Sequence, residues 1–470
     1  MINYTGTYTD QYQLTMAQVY FLKEQKDHVA IFDYFFRQLP FKGGYAVFAG
    51  LETLLDILEN FHFDAHDIAF LQTQGFHPSF LEYLKNFQFK GTVYASHEGD
   101  LVFPTRPIVT IEANIIEAQL IETVLLNTLN FQTLIATKAS RIRHIAGNRK
   151  LIEFGLRRAQ GPGGYYASRA AIIGGFDATS NVRAGRDFNI PISGTMAHSF
   201  IQSYDNEQLA FRDCAESNPD NCVLLVDTYN TLNSGIPNAI KIAKEMEGRG
   251  QRLHGIRLDS GDLAYLSKRA RKMLNEANLD YVKIIASNKL DEYVIKSLIE
   301  QEAPLDTFGV GTSLAVGQPD SALDGVFKLA FSNAKPRIKI SETTSKITLP
   351  YKKQVYRVIN DDGTFLGADM ITLAEEDQLE MMHHPFDAFK TLSVQNHQQE
   401  PLLHKVMENG ERIVAPKTLH EIAQYSKQRL DKLPAEYKRF NAPHRYKVGL
   451  SQRLKRQRNQ LIEECKGKQL

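Results

Sequence analysis

Apolar residues recur along this chain with two spacings, and the alternation between them sets out the elements. In TDQYQLTMAQVYFLKEQ, Leu14, Ala17, Val19, Tyr20 and Leu22 predict a helix with one apolar face, capped by Thr9 or Asp10. AIFDYFFRQLP alternates as a strand does, GGYAVFAGLETLLDILENF reads as a glycine-started helix, and residues 64–89 are helical with interruptions. Over residues 91–110, short β-rich runs punctuated by Gly99, Pro104 and Pro107 predict a small sheet or barrel. EAQLIETVLLNTLNFQTLIATKASRIRHIAG then predicts a long helix, with a break expected near Asn130. Lys138, Arg141, Arg143 and His144 gather near its end, as dipole partners, a solvated face or ligands. Beyond it one grammar repeats: a short apolar run, a polar turn and a helical pattern, with runs beginning near Val223, Leu253, Tyr281 and Leu305. A parallel α/β barrel is the most economical closure of that repeat, and it would bring the polar strand ends to one mouth.

The polar turns carry the candidate chemistry. Residues 151–199 hold three of them, each after a short apolar segment: Gly161 to Gly164, then Asp177, Thr179, Ser180 and Asn181, then Ser193, Gly194 and Thr195 leading to His198. Such turns can present backbone N–H groups and helix starts to an anion, which points to phosphate. In RLDSGD, Arg257 and Asp259 are alternate residues of a strand end and point the same way, while Asp262 lies in the helix that follows. Arginine can hold a carboxylate or phosphate bidentately, and aspartate can take sugar hydroxyls or magnesium; a purely structural ion pair fits the spacing equally well. FGVGT, with Gly309, Gly311 and Thr312, suits a phosphate loop or simply a tight turn. His198 by itself reads as a packed or capping histidine, and Tyr12 as a packing aromatic.

Composition narrows the class. With 470 residues, 43% of them hydrophobic, the chain can bury a large core in roughly two to four domains. Fifty-five Lys and Arg against 54 acids give a net charge of +1, without a global pull toward nucleic acid or an acidic membrane. Cys214, Cys222 and Cys465 are odd in number and lack CxxC spacing, which fits a reducing compartment and argues against a zinc site. MINYTGTYTDQYQLTM lacks the basic-then-apolar pattern of a secretory signal, and no apolar run reaches about 18 residues, so a soluble cytoplasmic protein is expected. TTSKITLPYKKQVYRVINDDGTFLGADMITL predicts a meander whose first lysines are solvated. The basic run at 453–458 falls on a helix with Leu450, Leu454 and Leu461 on one face, so it reads as a charged outer face rather than a nucleic-acid site.

EFGLRRAQ, GGFDATSNVRAG, GTMAHSF, VDTYNT, GIRLDSGD and FGVGT, preceded by TDQYQLTM, occur in this order and together closely resemble the nicotinate phosphoribosyltransferases. The resemblance implies an α/β fold: the irregular α/β barrel of a type II phosphoribosyltransferase with an N-terminal α+β sandwich-like domain and a C-terminal extension. It places an N-terminal domain at 1–117, contributing to the dimer partner's site, the catalytic barrel at 118–345, and an α+β extension packing on the body at 346–470. It further implies a head-to-tail homodimer with shared active sites, and an enzyme of the ligase class. The implied reaction joins nicotinate to phosphoribosyl pyrophosphate, giving nicotinate mononucleotide and pyrophosphate in NAD salvage, with ATP as co-substrate and Mg2+ bound mainly through pyrophosphate. Carried over residue by residue, His198 is the phosphorylated histidine, Arg257 the carboxylate clamp and Asp259 a ribose-hydroxyl ligand. Phe154 and the partner's Tyr12 would sandwich the pyridine ring, and Gly309, Gly311 and Thr312 would form the 5-phosphate loop. Arg157, Asp177, Thr195 and Lys138 would bind substrate near the base and pyrophosphate. Nicotinamide or quinolinate specificity, an aldolase and a non-catalytic sensor compete with it; an aldolase would need a Schiff-base lysine at a strand end, and those ends hold none.

Overall fold

The parallel repeat expected from the central sequence is realised as six short strands. The computed structural model describes residues 4–343, 346–377 and 379–467. These divide into two compact units, one of Met1–Thr137 with Ala322–Leu470, the other of Lys138–Ser321. In the second, six strands are hydrogen-bonded in the order Ala178–Thr179, Lys150–Glu153, Thr307–Val310, Lys283–Ser287, Gly255–Leu258, Val223–Leu225, and every pair is parallel. Parallel neighbours need crossovers, and the helices Gly163–Ile173, Ile236–Gly248, Leu263–Glu276 and Glu292–Glu300 supply them. Strand interiors such as Ile152, Leu224, Ile256, Ile284 and Phe308 are buried, as a sheet covered on both faces requires. Ala178–Thr179 carries a further parallel bridge from Thr179 to Ile192. Among the described residues no ladder pair runs from there to Val223–Leu225, so the barrel is irregular.

The other unit is built on antiparallel pairing. Its larger sheet has seven strands in the order Lys335–Pro336, Gly325–Ser332, Val29–Phe36, Val109–Asn114, Thr92–Ala95, His404–Glu408, Glu411–Arg412. Phe32 and Phe327 stack with ring centroids 4.8 Å apart across the paired strands Val29–Phe36 and Gly325–Ser332. A second sheet orders Thr391–Ser393, Met381–His383, Lys447–Leu450, Phe365–Leu373, Lys353–Ile359 and Gln398–Pro401. Strands from 325–332 and 404–408 thus complete a sheet begun by 29–114, so the units do not follow the expected boundaries after 117 and 345. Local periodicity carries no record of which distant strands pair, and that is why the boundaries moved.

Several local expectations also change. Residues 115–146 do break, but at Ile121, between Ile115–Leu120 and Glu122–Ala146, and the helix runs unbroken through Asn130. Of the first lysines of the meander, Lys346 is exposed as expected, but Lys353 is buried and pairs with Asp33 at 2.8 Å, and the half-buried Lys352 donates to Glu112 Oε2 at 2.6 Å and Tyr94 Oη at 2.9 Å. Thr344 and Ser345 of that segment lie outside the described residues. In the helix Gln452–Gly467, Leu454 is buried as expected, but so is Arg458. No helix among the described residues is long and apolar enough to cross a membrane.

Candidate active site

Because all six strands of the 138–321 unit run the same way, their C-terminal ends open on one mouth, and side-chain caps fix the turns there. Asn181 Oδ1 accepts from Ala184 N at 3.1 Å, Asn230 Oδ1 from Asn233 N at 2.9 Å, and Asp262 Oδ1 from Tyr265 N at 3.0 Å. Each cap satisfies a helix-start N–H and turns the chain sharply after its strand. Below the turn at Phe154, Glu153 is fully buried, and its carboxylate accepts from Gly155 N, from Ser168 Oγ at 2.9 Å and from Thr179 Oγ1 at 2.6 Å. Burial pushes its carboxyl above the usual range, against the pull of these donors.

At the mouth, Arg257 joins three chain segments. Its Nε donates to Ser287 Oγ at 2.8 Å, Nη1 to Thr195 Oγ1 at 3.0 Å and Met196 O at 3.3 Å, and Nη2 to Asp259 Oδ1 at 2.8 Å. Ser287 Oγ also donates to Asp259 Oδ1. Burial pushes the Asp259 carboxyl up, but the Ser287 hydroxyl and the Arg257 charge outweigh it and hold the group below the usual carboxylate range. The Arg257 guanidinium carbon lies 5.5 Å from the centre of the Phe154 ring, within cation–π reach. His198, at the start of the helix His198–Gln202, has Nδ1 3.1 Å from Thr228 Oγ1 and Nε2 3.7 Å from Asp259 Oδ2. Asp227 Oδ2 accepts from Asp259 N at 2.9 Å and Ser260 Oγ at 2.5 Å, while its Oδ1 is buried without a partner among the described residues. The cluster therefore combines a fixed cation, an aromatic face, an accessible imidazole and a buried acceptor without a partner among the described residues, gathered from strand ends and a helix start.

Glycine at 309 has a steric reason. A Cβ there would come within 2.4 Å of Phe154 Cε2, so a side chain would push the ring off its position under Arg257. Gly311 lies against the Phe154 backbone and precedes the short helix Thr312–Ala315. The glycines of FGVGT thus seat the aromatic ring in addition to forming a turn.

His198, Arg257, Asp259, Phe154 and Thr195 are brought together by these contacts, and Gly309 and Gly311 border them. Arg157 is exposed in the turn after Phe154, and Thr312 is exposed at the start of the helix Thr312–Ala315. Asp177 is not brought there. Lys138 is buried, and its ammonium pairs with Glu292, whose other oxygen takes Arg141 Nε at 3.0 Å. Asp177 precedes the strand Ala178–Thr179 and accepts from Leu151 N at 2.7 Å and Arg143 Nη2 at 2.6 Å, which fixes it at the opposite, N-terminal end of the sheet. Its expected turn begins only at Ser180. Tyr12 belongs to the other unit, 52% exposed on the helix Gln11–Leu22. Thr228, Asp227, Ser287 and Glu153 were passed over as site residues, although each is a polar residue closing an apolar run and so carried the right signal.

A parallel α/β unit with a cation, an imidazole and paired carboxylates at its strand ends has the fold class of the type II phosphoribosyltransferases. A crystal structure of human nicotinic acid phosphoribosyltransferase superposes with a TM-score of 0.88 at 32% identity, covering 96% of this chain and 99% of that one. A nicotinate-nucleotide pyrophosphorylase from Pyrococcus furiosus gives 0.72 at 25% identity, over 91% of this chain and 95% of that one. Residues 7–130 match the nicotinate phosphoribosyltransferase N-terminal domain, 149–362 the nicotinate phosphoribosyltransferase family and 352–458 its C-terminal domain. The nicotinate phosphoribosyltransferase of Bacillus subtilis is 46% identical over 98% of this chain and 96% of its own length, and that of Homo sapiens 33% identical over 95% and 94%. The chain belongs to the nicotinate phosphoribosyltransferase family.

Proposed function

We propose that this chain joins nicotinate to phosphoribosyl pyrophosphate, giving nicotinate mononucleotide and pyrophosphate, and that ATP hydrolysis is coupled to the step through phosphorylated His198. The observation that carries this is the Phe154 ring beneath the Arg257 guanidinium, beside Asp259 and His198. A flat anionic base fits there: the ring stacks on Phe154, and its carboxylate exchanges with Thr195 and Met196 for the Nη1 donors of Arg257. Asp259 then takes a ribose hydroxyl, and Gly311 and Thr312 offer backbone N–H groups to the 5-phosphate. The glycosidic step needs the base nitrogen aimed at C1 while the C1–O bond to pyrophosphate breaks, so orientation and charge carry most of it.

Thr228 holds His198 through Nδ1, leaving Nε2 to attack the terminal phosphorus of ATP as the bond to ADP breaks. Magnesium, when bound, neutralises the diphosphate. Among the described residues no three His, Cys, Asp or Glu side chains form a metal cage, whereas the unused Asp227 Oδ1 fits a water of a substrate-borne ion. A head-to-tail homodimer would bring in Tyr12 of the partner subunit as the second aromatic face. The proposed setting is cytoplasmic pyridine-nucleotide synthesis.

The test is a product assay with phosphoribosyl pyrophosphate and magnesium, comparing nicotinate with nicotinamide, with and without ATP, for wild type and His198→Ala. Nicotinate mononucleotide should form in wild type and rise with ATP, and the rise should vanish in His198→Ala. An ATP response that survives in the variant would remove His198 from the coupling, and no product from either base would overturn the reaction itself.

A further inference from the structure

A second pocket lies wholly in the unit that holds neither His198, Arg257 nor Asp259. It is a partly open cavity between the Val29–Phe36 strand, the segment 347–349 and the helix Gln452–Gly467. Its walls are mostly apolar, with Phe35, Ile347, Leu349, Ile371 and Leu450 among them. The charges facing it are unequal: Lys328, Lys353 and Arg458 against the single carboxylate of Asp33. Lys353 is neutralised by Asp33 at 2.8 Å, with both side chains buried.

Arg458 has no such partner. The residue is only 4% exposed, yet among the described residues its guanidinium makes no ion pair. Its acceptors are neutral: Pro385 O at 2.6 Å from Nη2, and Asn459 Oδ1 at 3.1 Å from Nε and 2.8 Å from Nη2. The Phe386 ring centre lies 5.4 Å from its guanidinium carbon. Burial alone pushes the group below the usual arginine range, with no neighbouring charge acting on it. A buried cation without a counter-ion is costly, and a helix whose outer face carries Arg453, Lys455 and Arg456 could have kept this one in water too.

We infer that this cavity binds an apolar monocarboxylate, its hydrocarbon body against Phe35, Ile347 and Leu349 and its carboxylate on Arg458. The cation supplies charge complementarity and the walls supply apolar burial. The inference does not rest on the proposed reaction, since none of the lining residues belongs to the 138–321 unit.

The probe is octanoate, titrated calorimetrically into the full-length protein beside its neutral counterpart 1-octanol, with saturating nicotinate present and absent. Octanoate should bind at one saturable site, with 1-octanol weaker by about ten- to a hundred-fold, as loss of a charge-assisted hydrogen bond demands. Arg458→Met should erase that preference while unfolding at least as hot as wild type, because it removes an unpaired buried charge. Ile347→Trp, a filling change at a partly exposed position, should block octanoate even if Arg458→Met folds poorly, and phosphoribosyl transfer should be unchanged in it. Absent binding, equal binding of the two probes, binding untouched by both variants, or displacement of octanoate by nicotinate would each overturn the site.

Discussion

Two clusters of arginine and aspartate in this molecule use the same chemistry for opposite ends. In the unit that joins the two termini, Arg357 pairs with Asp100 at 2.8 Å and Asp369 at 3.0 Å, Arg106 with Asp369 at 3.0 Å, and Arg429 with Asp100 at 2.8 Å. The side chains of Arg357, Arg106 and Asp369 are wholly inaccessible. At the barrel mouth, Arg257 and Asp259 also pair at 2.8 Å, but their side chains are 15% and 27% exposed, and that of His198 is 40%. A sealed network has satisfied its charges within the protein, so it can only hold the fold. A network open on one side can trade a protein partner for a ligand, and the spare Asp227 oxygen beside it is an acceptor still to be filled.

The sharpest way to break the comparison is to remove one member from each cluster. Arg357→Met should leave Asp100 and Asp369 short of a partner in a dry site and cost about 3–5 kcal/mol of stability, read from chemical denaturation, because uncompensated buried charge is penalised heavily. Arg257→Lys should leave stability nearly unchanged and instead raise the nicotinate KM. Losing the planar fork weakens carboxylate recognition by about 1.5–3 kcal/mol. An unchanged KM would show that Arg257 serves only to tie Thr195, Asp259 and Ser287 together.

A smaller effect follows from pH. In the unit that holds the sealed network, His97 stacks on His404 with ring centroids 4.3 Å apart, and burial with its cationic neighbours lowers its pKa to about 4. The unfolded chain therefore takes up this proton first as pH falls, near the ordinary histidine value of about 6.5. Stability should hold above that value and decline progressively from there to about 4, and His97→Gln should flatten the decline. Smallest of all, the depressed Asp259 pKa gives stability that is present above the ordinary aspartate range and lost only as pH falls below it. Asp259→Asn should blunt that final acid limb of the melting curve.

Much of the catalytic unit was legible along the chain, and for a definite reason. Strand, polar turn and helix succeed one another within a few residues, so RLDSGD, VDTYNT and GTMAHSF each declare a strand end or helix start locally. Parallel pairing then carries those ends to one mouth without further instruction. What sequence alone determined is thus the repeat and the polar character of its turns, with Phe154, His198, Arg257 and Asp259 placed in or beside them. The tertiary structure decided what depends on distance. It placed Asp177 at the wrong end of its strand for a ligand, took Lys138 into an ion pair with Glu292, and turned Gly309 into the seat of the Phe154 ring. It also carried strands 325–332 and 404–408 back to the sheet begun by 29–114. Local periodicity records which face of a segment is apolar; which distant segment covers that face, and which charge meets which, is settled only when the chain packs.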